Sequence, residues 1–275
     1  MGDAGLFGPE TLTWRINREN ALLIGGGRAL VLQVAHPLVA AGVAQHSNYR
    51  QDPFGRLQRT LEVTTTIVFG SPDEAARASK QLWNRHGIVN GTSDESGGRY
   101  PEGTPYDAHD PDLLMWVHAT LVDTSILVYD QYVRALSLDE RRAYYQEQKL
   151  LNEQYGVPLE AMPESYDDFV AYFERMVDEE LAVTDALRDV VGSILDPELP
   201  AAAKIAARPL LGAMRLATVG LLPVTLRERL GFDWSPRRER LLGASRTAVR
   251  GMLPLMPALA REFPAARKAK KRVAV

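Results

Sequence analysis

The run HDPDLLMWVHATLVDTSILVYDQYVRAL, residues 109–136, limits the architecture more than any other stretch. Asp110 suits an N-cap and Pro111 suits the first helical position. From Leu114 to Val133 apolar residues occupy nearly every face of the helix that follows. Such a helix must be enclosed by other elements and lie at the centre of a core. Its neighbours in the chain are helical as well. SPDEAARASKQLWNRHG (71–87) offers Ser71 as N-cap, Pro72 at the first position, Glu74 to complete a capping box and Gly87 as a left-handed stop. Segments 137–154, 165–183, 200–222 and 235–263 carry helical periodicity with acceptable starts. EVTTTIVF (62–69) has strand propensity, but a lone strand among helices has nothing to pair with, so helix is expected there too. The expectation is an all-α chain forming a single domain over 1–275, with its core at about 12–262 and a basic tail at 264–275.

Composition narrows the chemistry. The 275 residues are 45% hydrophobic and 24% charged, enough to bury a substantial core. A net charge of −3 gives no overall attraction to nucleic acid or anionic lipid, and the locally basic RKAKKR (267–272) reads as a solvated, frayed end in preference to a membrane or nucleic-acid contact. There is no cysteine, which excludes disulfides, iron–sulfur clusters and thiolate-ligated haem; any iron or zinc has to be held by His and carboxylate. MGDAGLFGPE lacks the basic and apolar regions of a secretory signal, so a cytoplasmic location is expected. The most apolar window, Ala21 to Ala44, contains Arg28 and His36 and is broken by Pro37, which favours a buried helix over a transmembrane span. Within it, IGGGRALVLQVAHP (24–37) matches neither nucleotide-binding fingerprint. It reads as a turn into a buried helix, with Arg28 in reach of a carboxylate. Residues 91–109 form the one long Gly/Pro-rich insertion, either a lid or a surface loop packed on itself.

The five histidines are His36, His46, His86, His109 and His118. Their spacing excludes the ferritin-like di-iron and zincin motifs. His86 falls in the last turn of its helix, either as a cation favoured by the helix dipole or as a neutral imidazole turned inward beside Trp83 to hold iron. His118 lies mid-helix among Leu114, Leu121, Val122 and Ser125, and if buried it must be hydrogen-bonded or ligating. Arg56 and Thr60 share a helix face that continues through Val63 and Ile67, and the guanidinium needs an anion, whether a carboxylate of the chain or that of a ligand.

The strings VAHPLVAAGVAQHSNYRQDPFGRLQRT, LWNRHGIVNG, YDAHDPDLLMWVHATLVDTSILVYD and LLPVTLRERLGFDWS resemble, in this order, the MpaB/latex-clearing oxygenase family, over residues 12 to 260 or so. The family includes rubber oxygenases and the oxygenase that shortens a farnesyl side chain in mycophenolic acid synthesis. The resemblance implies a globin-like helical core around a non-covalent haem b, and O2-dependent oxidation of an apolar, often isoprenoid, substrate, with room for a redox partner. Arg56, Arg59 and Thr60 match an Arg-x-x-Lys-Thr segment beside the haem pocket. His86, in HGIVN, matches the proximal histidine of a His-x-x-Val-Arg segment. By the same resemblance His118 is a pocket residue, Arg227 a propionate partner and His36 a distal group. Two positions depart from the pattern: Asn90 replaces the arginine after the proximal histidine, and Ala40 stands near the place of the glutamate assigned as base in rubber cleavage. Haem binding therefore carries over better than rubber cleavage, and the alternative is a non-catalytic haem or apolar-ligand binding protein.

Overall fold

The computed structural model describes residues 5–48 and 53–274, and the side chains of residues 53, 54, 56 and 57 lie outside that description. In chain order the helices are α1 (Leu12–Asn17), α2 (Gly26–Ala35), α3 (Pro37–His46), α4 (Pro53–Phe69), α5 (Pro72–His86), α6 (Pro111–Val128) and α7 (Leu138–Gln154). They continue with α8 (Tyr166–Arg175), α9 (Asp185–Leu195), α10 (Ala201–Leu221), α11 (Val224–Arg229), α12 (Pro236–Met252), α13 (Ala258–Arg261) and α14 (Pro264–Val273). Among the described residues the sole sheet is an antiparallel pair, β1 (Asn90–Thr92) and β2 (Pro105–Asp107), with Asn90 opposite Asp107. The fold is all-α.

Helix α6 is the axis. Asp110 caps it by accepting from the Asp112 N–H, and Leu113 to Trp116, Ala119, Val122, Ile126 and Val128 are all buried. It packs on α2 and α7, and the Trp116 indole donates to the Leu32 carbonyl at 3.2 Å. A second apolar cluster joins Phe7 and Trp14 to Ile67, Val68 and Phe69 of α4, Leu151 of α7 and Ala266 and Ala269 of α14. Within the β-branched run of α4, Thr64 and Thr65 donate their hydroxyls to the carbonyls of Thr60 and Leu61, at 2.9 and 2.6 Å, and the run is held helical by the packing of Ile67, Val68 and Phe69 in this cluster.

The apolar window bends where its sequence breaks. A short 3₁₀ turn, Asn20–Gly25, leads into α2, and α2 meets α3 at His36–Pro37, so that the two halves are bent by 105°. No single helix among the described residues is long and apolar enough to cross a membrane. Arg28 is buried, as its place in the run suggests, and donates from Nε to the Leu221 carbonyl (2.7 Å), from Nη1 to Thr124 Oγ1 (2.5 Å) and from Nη2 to Asp123 Oδ2 (2.5 Å). One guanidinium thus fastens α2 to α6 and α10.

Three expectations are corrected, and one loop takes a defined form. Gly87 ends α5 in a right-handed conformation (φ −60°), because its N–H still reaches the Trp83 carbonyl and the chain turns afterwards. The 91–109 insertion, expected as a lid or a loop packed on itself, is closed by the β1–β2 ladder, and the Glu95 carboxylate accepts from the N–H groups of Asp185 and Ala186 (2.7 and 2.9 Å), pinning it to the start of α9. The 235–263 segment is broken at Leu253–Leu255, where Pro254 and Pro257 interrupt the helical ladder. The basic tail is not frayed but folds as α14, with Ala266 and Ala269 buried and Lys268 paired to Glu74 at 3.1 Å.

The three glycines of the opening turn have unequal roles. A Cβ on Gly25 would overlap the Thr124 side chain on α6, and one on Gly27 would overlap Thr218 on α10, whereas one on Gly26 meets nothing within 4 Å. Gly25→Ala and Gly27→Ala are each expected to cost about 1–3 kcal/mol by overpacking. Gly26→Ala should be neutral or stabilise by up to about 1 kcal/mol. Urea unfolding of the three variants separates these outcomes.

Candidate functional site

A cavity of about 300 Å³ opens between the glycine turn, α4, α6 and α7. That size is at the lower end of small-molecule sites, which run to about 1,000 Å³. Thr60, Leu61, Thr64 and Phe69 of α4 form one wall; His118, Leu121 and Ser125 of α6 stand with Tyr144, Gln148 and Leu151 of α7 in another. Leu23, Met214 and Phe263 add to the lining, and Val190, Ser193 and Ile194 of α9 form a further wall.

Most polar groups on these walls are bonded within the protein. The Tyr144 hydroxyl donates to Asn17 Oδ1 at 2.9 Å, the Gln148 amide to Thr13 Oγ1 at 2.9 Å, and Thr124 Oγ1 accepts from Arg28. His118 differs. Its ring is fully enclosed and neither Nδ1 nor Nε2 has a hydrogen-bond partner. Burial lowers its pKa from 6.5 to about 3, only partly opposed by the Gln148 backbone, which approaches the ring without reaching hydrogen-bond geometry, so the imidazole is neutral at ordinary pH. A buried neutral imidazole has one lone pair to offer, and here nothing in the chain takes it.

His86 does not line this cavity. It is half-buried at the end of α5, its Nδ1 is shielded and without a partner, and Ser79 Oγ, two turns earlier on the same helix face, is likewise unpartnered. Burial, then the neighbouring His109, lower its pKa. Trp83 is stacked on His109 at 3.8 Å between centroids, and His109 Nε2 bonds the Trp83 carbonyl at 2.9 Å. His46 is similarly engaged, with its Nε2 near the Asn90 carbonyl and the Tyr106 hydroxyl at 3.2 and 3.1 Å.

The other sequence-derived residues are dispersed. Thr60 lines the cavity. Arg59 is exposed on α4, and the Arg56 side chain lies outside the described residues. Arg227 sits over the Trp234 ring at 4.9 Å, away from the cavity lining. His36 belongs to a separate polar cluster at the α2–α3 bend. Its Nε2 is 3.4 Å from the Tyr100 hydroxyl, which donates to Glu180 Oε2 at 3.0 Å, while Arg99 pairs with Glu180 at 2.8 Å. Burial, then Arg99, lower the His36 pKa to about 4, with Asp110 opposing. Tyr144, Gln148 and Tyr155 were not evident from sequence as wall residues; the polar residues inside the otherwise apolar face of 144–155 were the available signal.

A family model described as the catalytic domain of ER-bound oxygenase mpaB/B' and rubber oxygenase matches residues 13–251. The chain belongs to this family. It is an oxygenase catalytic domain, and the match takes in every wall of the cavity except Phe263. No curated protein and no solved structure matches the sequence.

The state of His118 predicts an acid response. Between pH 6.5 and about 3 the unfolded chain binds a proton at this ring that the folded chain refuses, so stability falls as pH drops through that window. Thermal unfolding from pH 7 to 4 should show His118→Leu losing less stability than the parent, with the His36 contribution remaining in both. Equal slopes would mean that the ring is not buried in its neutral form.

Proposed function

We propose that the chain is a haem b-dependent oxygenase acting with O2 on an apolar substrate, with an imidazole of the chain as axial ligand. The observation that carries the reading is His118: an enclosed, neutral imidazole facing an apolar cavity with both nitrogens unpartnered. Leaving such a group unsatisfied costs about 1–3 kcal/mol, a cost that a metal bond would remove. His86 is the residue that the family resemblance favours, and its shielded Nδ1 gives it the same capacity. Haem, when bound, supplies the O2-activating iron.

The chain's own residues set the conditions for that chemistry. Burial keeps both imidazoles in the neutral form that can donate to a metal. Leu61, Leu121, Leu151 and Phe69 exclude water and favour an aliphatic or isoprenoid substrate over a charged one. Thr60 stands on the α4 wall, next to the Arg56–Arg59 segment that matches the family's haem-side motif. Asn90 and Ala40, where the resemblance has an arginine and a glutamate, argue for a substrate other than rubber.

The optical spectrum of the purified protein, supplied with haem and read before and after dithionite, tests this. A Soret band with stoichiometric iron is expected, lost or shifted in one of His118→Ala and His86→Ala and retained in the other, which identifies the ligand. Haem kept with an unchanged spectrum in both variants, or no haem in the parent, overturns the proposal. O2 consumption with prenyl and unsaturated lipid substrates separates the enzyme from a carrier, since a carrier would bind haem and consume none.

A further inference from the structure

The charges of the chain are segregated along its length. Residues 200–275 hold 16 Lys and Arg against 4 Asp and Glu, whereas residues 1–199 hold 16 against 31. A chain of net charge −3 therefore carries a strongly cationic last quarter. Much of its aliphatic surface lies in the same quarter. No residue of α10 from 201 to 216 is buried, and this stretch carries Lys204, Arg208 and Arg215 with no acid at all. Between those cations Ile205 and Leu210 are 67% and 64% exposed. On α12 only Leu242 is buried, and Leu241 lies exposed beside Arg237, Arg238 and Arg240. Beyond it Leu255 and Leu259 are 84% and 73% exposed. A helix apolar on most faces is normally covered; α10 packs on α12, and α12 on the Leu253–Leu255 turn, so exposed aliphatic groups recur along adjoining elements, as on a contact surface.

The surface is continuous with the cavity. Met214, one turn after Leu210 on α10, is exposed and also lines the cavity; so does Leu23. The turn that carries Leu23 is tied to α13 by the Asn20 amide, which donates to the Ala260 carbonyl at 2.9 Å. Phe263, just past α13, donates its N–H to the Arg18 carbonyl and lines the cavity from that side. The mouth thus opens among the exposed aliphatic residues.

Charge decides what covers this face. Two copies of the chain meeting through it symmetrically would press one cationic patch, with Arg208, Arg215 and Arg237, against an identical one, and these groups form no ion pairs among the described residues that would neutralise them. An anionic lipid surface meets both needs at once: phosphates for the guanidinium groups and an acyl boundary for the aliphatic side chains. We propose that α10, α12 and the 253–259 segment dock the chain peripherally on anionic bilayers, with the cavity mouth turned toward the lipid. The docking stands without any assumption about haem. Only its use, letting an apolar substrate pass from bilayer to cavity without crossing water, rests on the oxygenase reading.

Cosedimentation of the full chain with phosphatidylcholine vesicles, with and without phosphatidylglycerol, tests the docking. Binding is expected only to the phosphatidylglycerol vesicles and should fall as salt is raised. Leu255→Ser combined with Leu259→Ser, and separately Arg208→Glu combined with Arg215→Glu, should each weaken it about tenfold or more. All four positions are exposed, and circular dichroism would confirm that the variants fold. Failure of the parent to bind at low salt, or binding indifferent to both variants, overturns the proposal. So does a dimer in sedimentation velocity that the leucine variant converts to monomer, which would assign the face to a second copy. Binding to duplex DNA that competes with the vesicles and depends on the arginines alone would overturn it too.

Discussion

The Arg28 guanidinium is the fastening on which the interior depends. It is withdrawn from water, which is expensive for a cation, and the cost is offset by three short bonds to Leu221, Thr124 and Asp123 and by the Phe173 ring 5.8 Å away. Because its acceptors sit on α6 and at the end of α10 while Arg28 itself sits on α2, the spacing of three helices is set by one planar group. Gly25 and Gly27 flank that contact and let the backbones come close enough to make it. The cavity lies beside this junction, lined by Gly25, Gly27 and Thr124, so its shape follows from the same fastening.

The protein bonds nearly every polar group on the cavity wall and leaves one imidazole open. That contrast gives His118 its meaning. His46 and His109, nearer the surface, are engaged by carbonyls, a hydroxyl and a stacked indole. Buried Glu19 is likewise held, by a two-bond fork from Arg261 at 2.8 Å each. Where the fold had no use for a polar side chain, an apolar one would have been the more stable choice. An open imidazole in an oxygenase domain is consistent with a site built for something the chain alone does not supply.

Local signals in the sequence carried far. Ser71 with Glu74, and Asp110 before Pro111, place helix starts where the caps are found, and Thr-rich α4 follows from the lack of any strand partner. Distant pairings were not legible. That Glu95 would cap α9, or that Arg272 would donate to the carbonyls of Phe69 and Gly70, depends on contacts 90 and about 200 residues apart, for which no local period exists. The site was half legible for the same reason. His118 stands out in the sequence as a polar residue in an apolar helix, but which histidine faces a cavity depends on how α4, α6 and α7 meet.

The last helix leans on the wall that carries Thr60. Ala266 and Ala269 of α14 pack against Val68 and Phe69, and Arg272 bonds the carbonyls that end α4. One side of the cavity is therefore braced by residues made some two hundred positions later. During synthesis that wall has to wait, its apolar face uncovered, until the ribosome has released the segment that props it from behind.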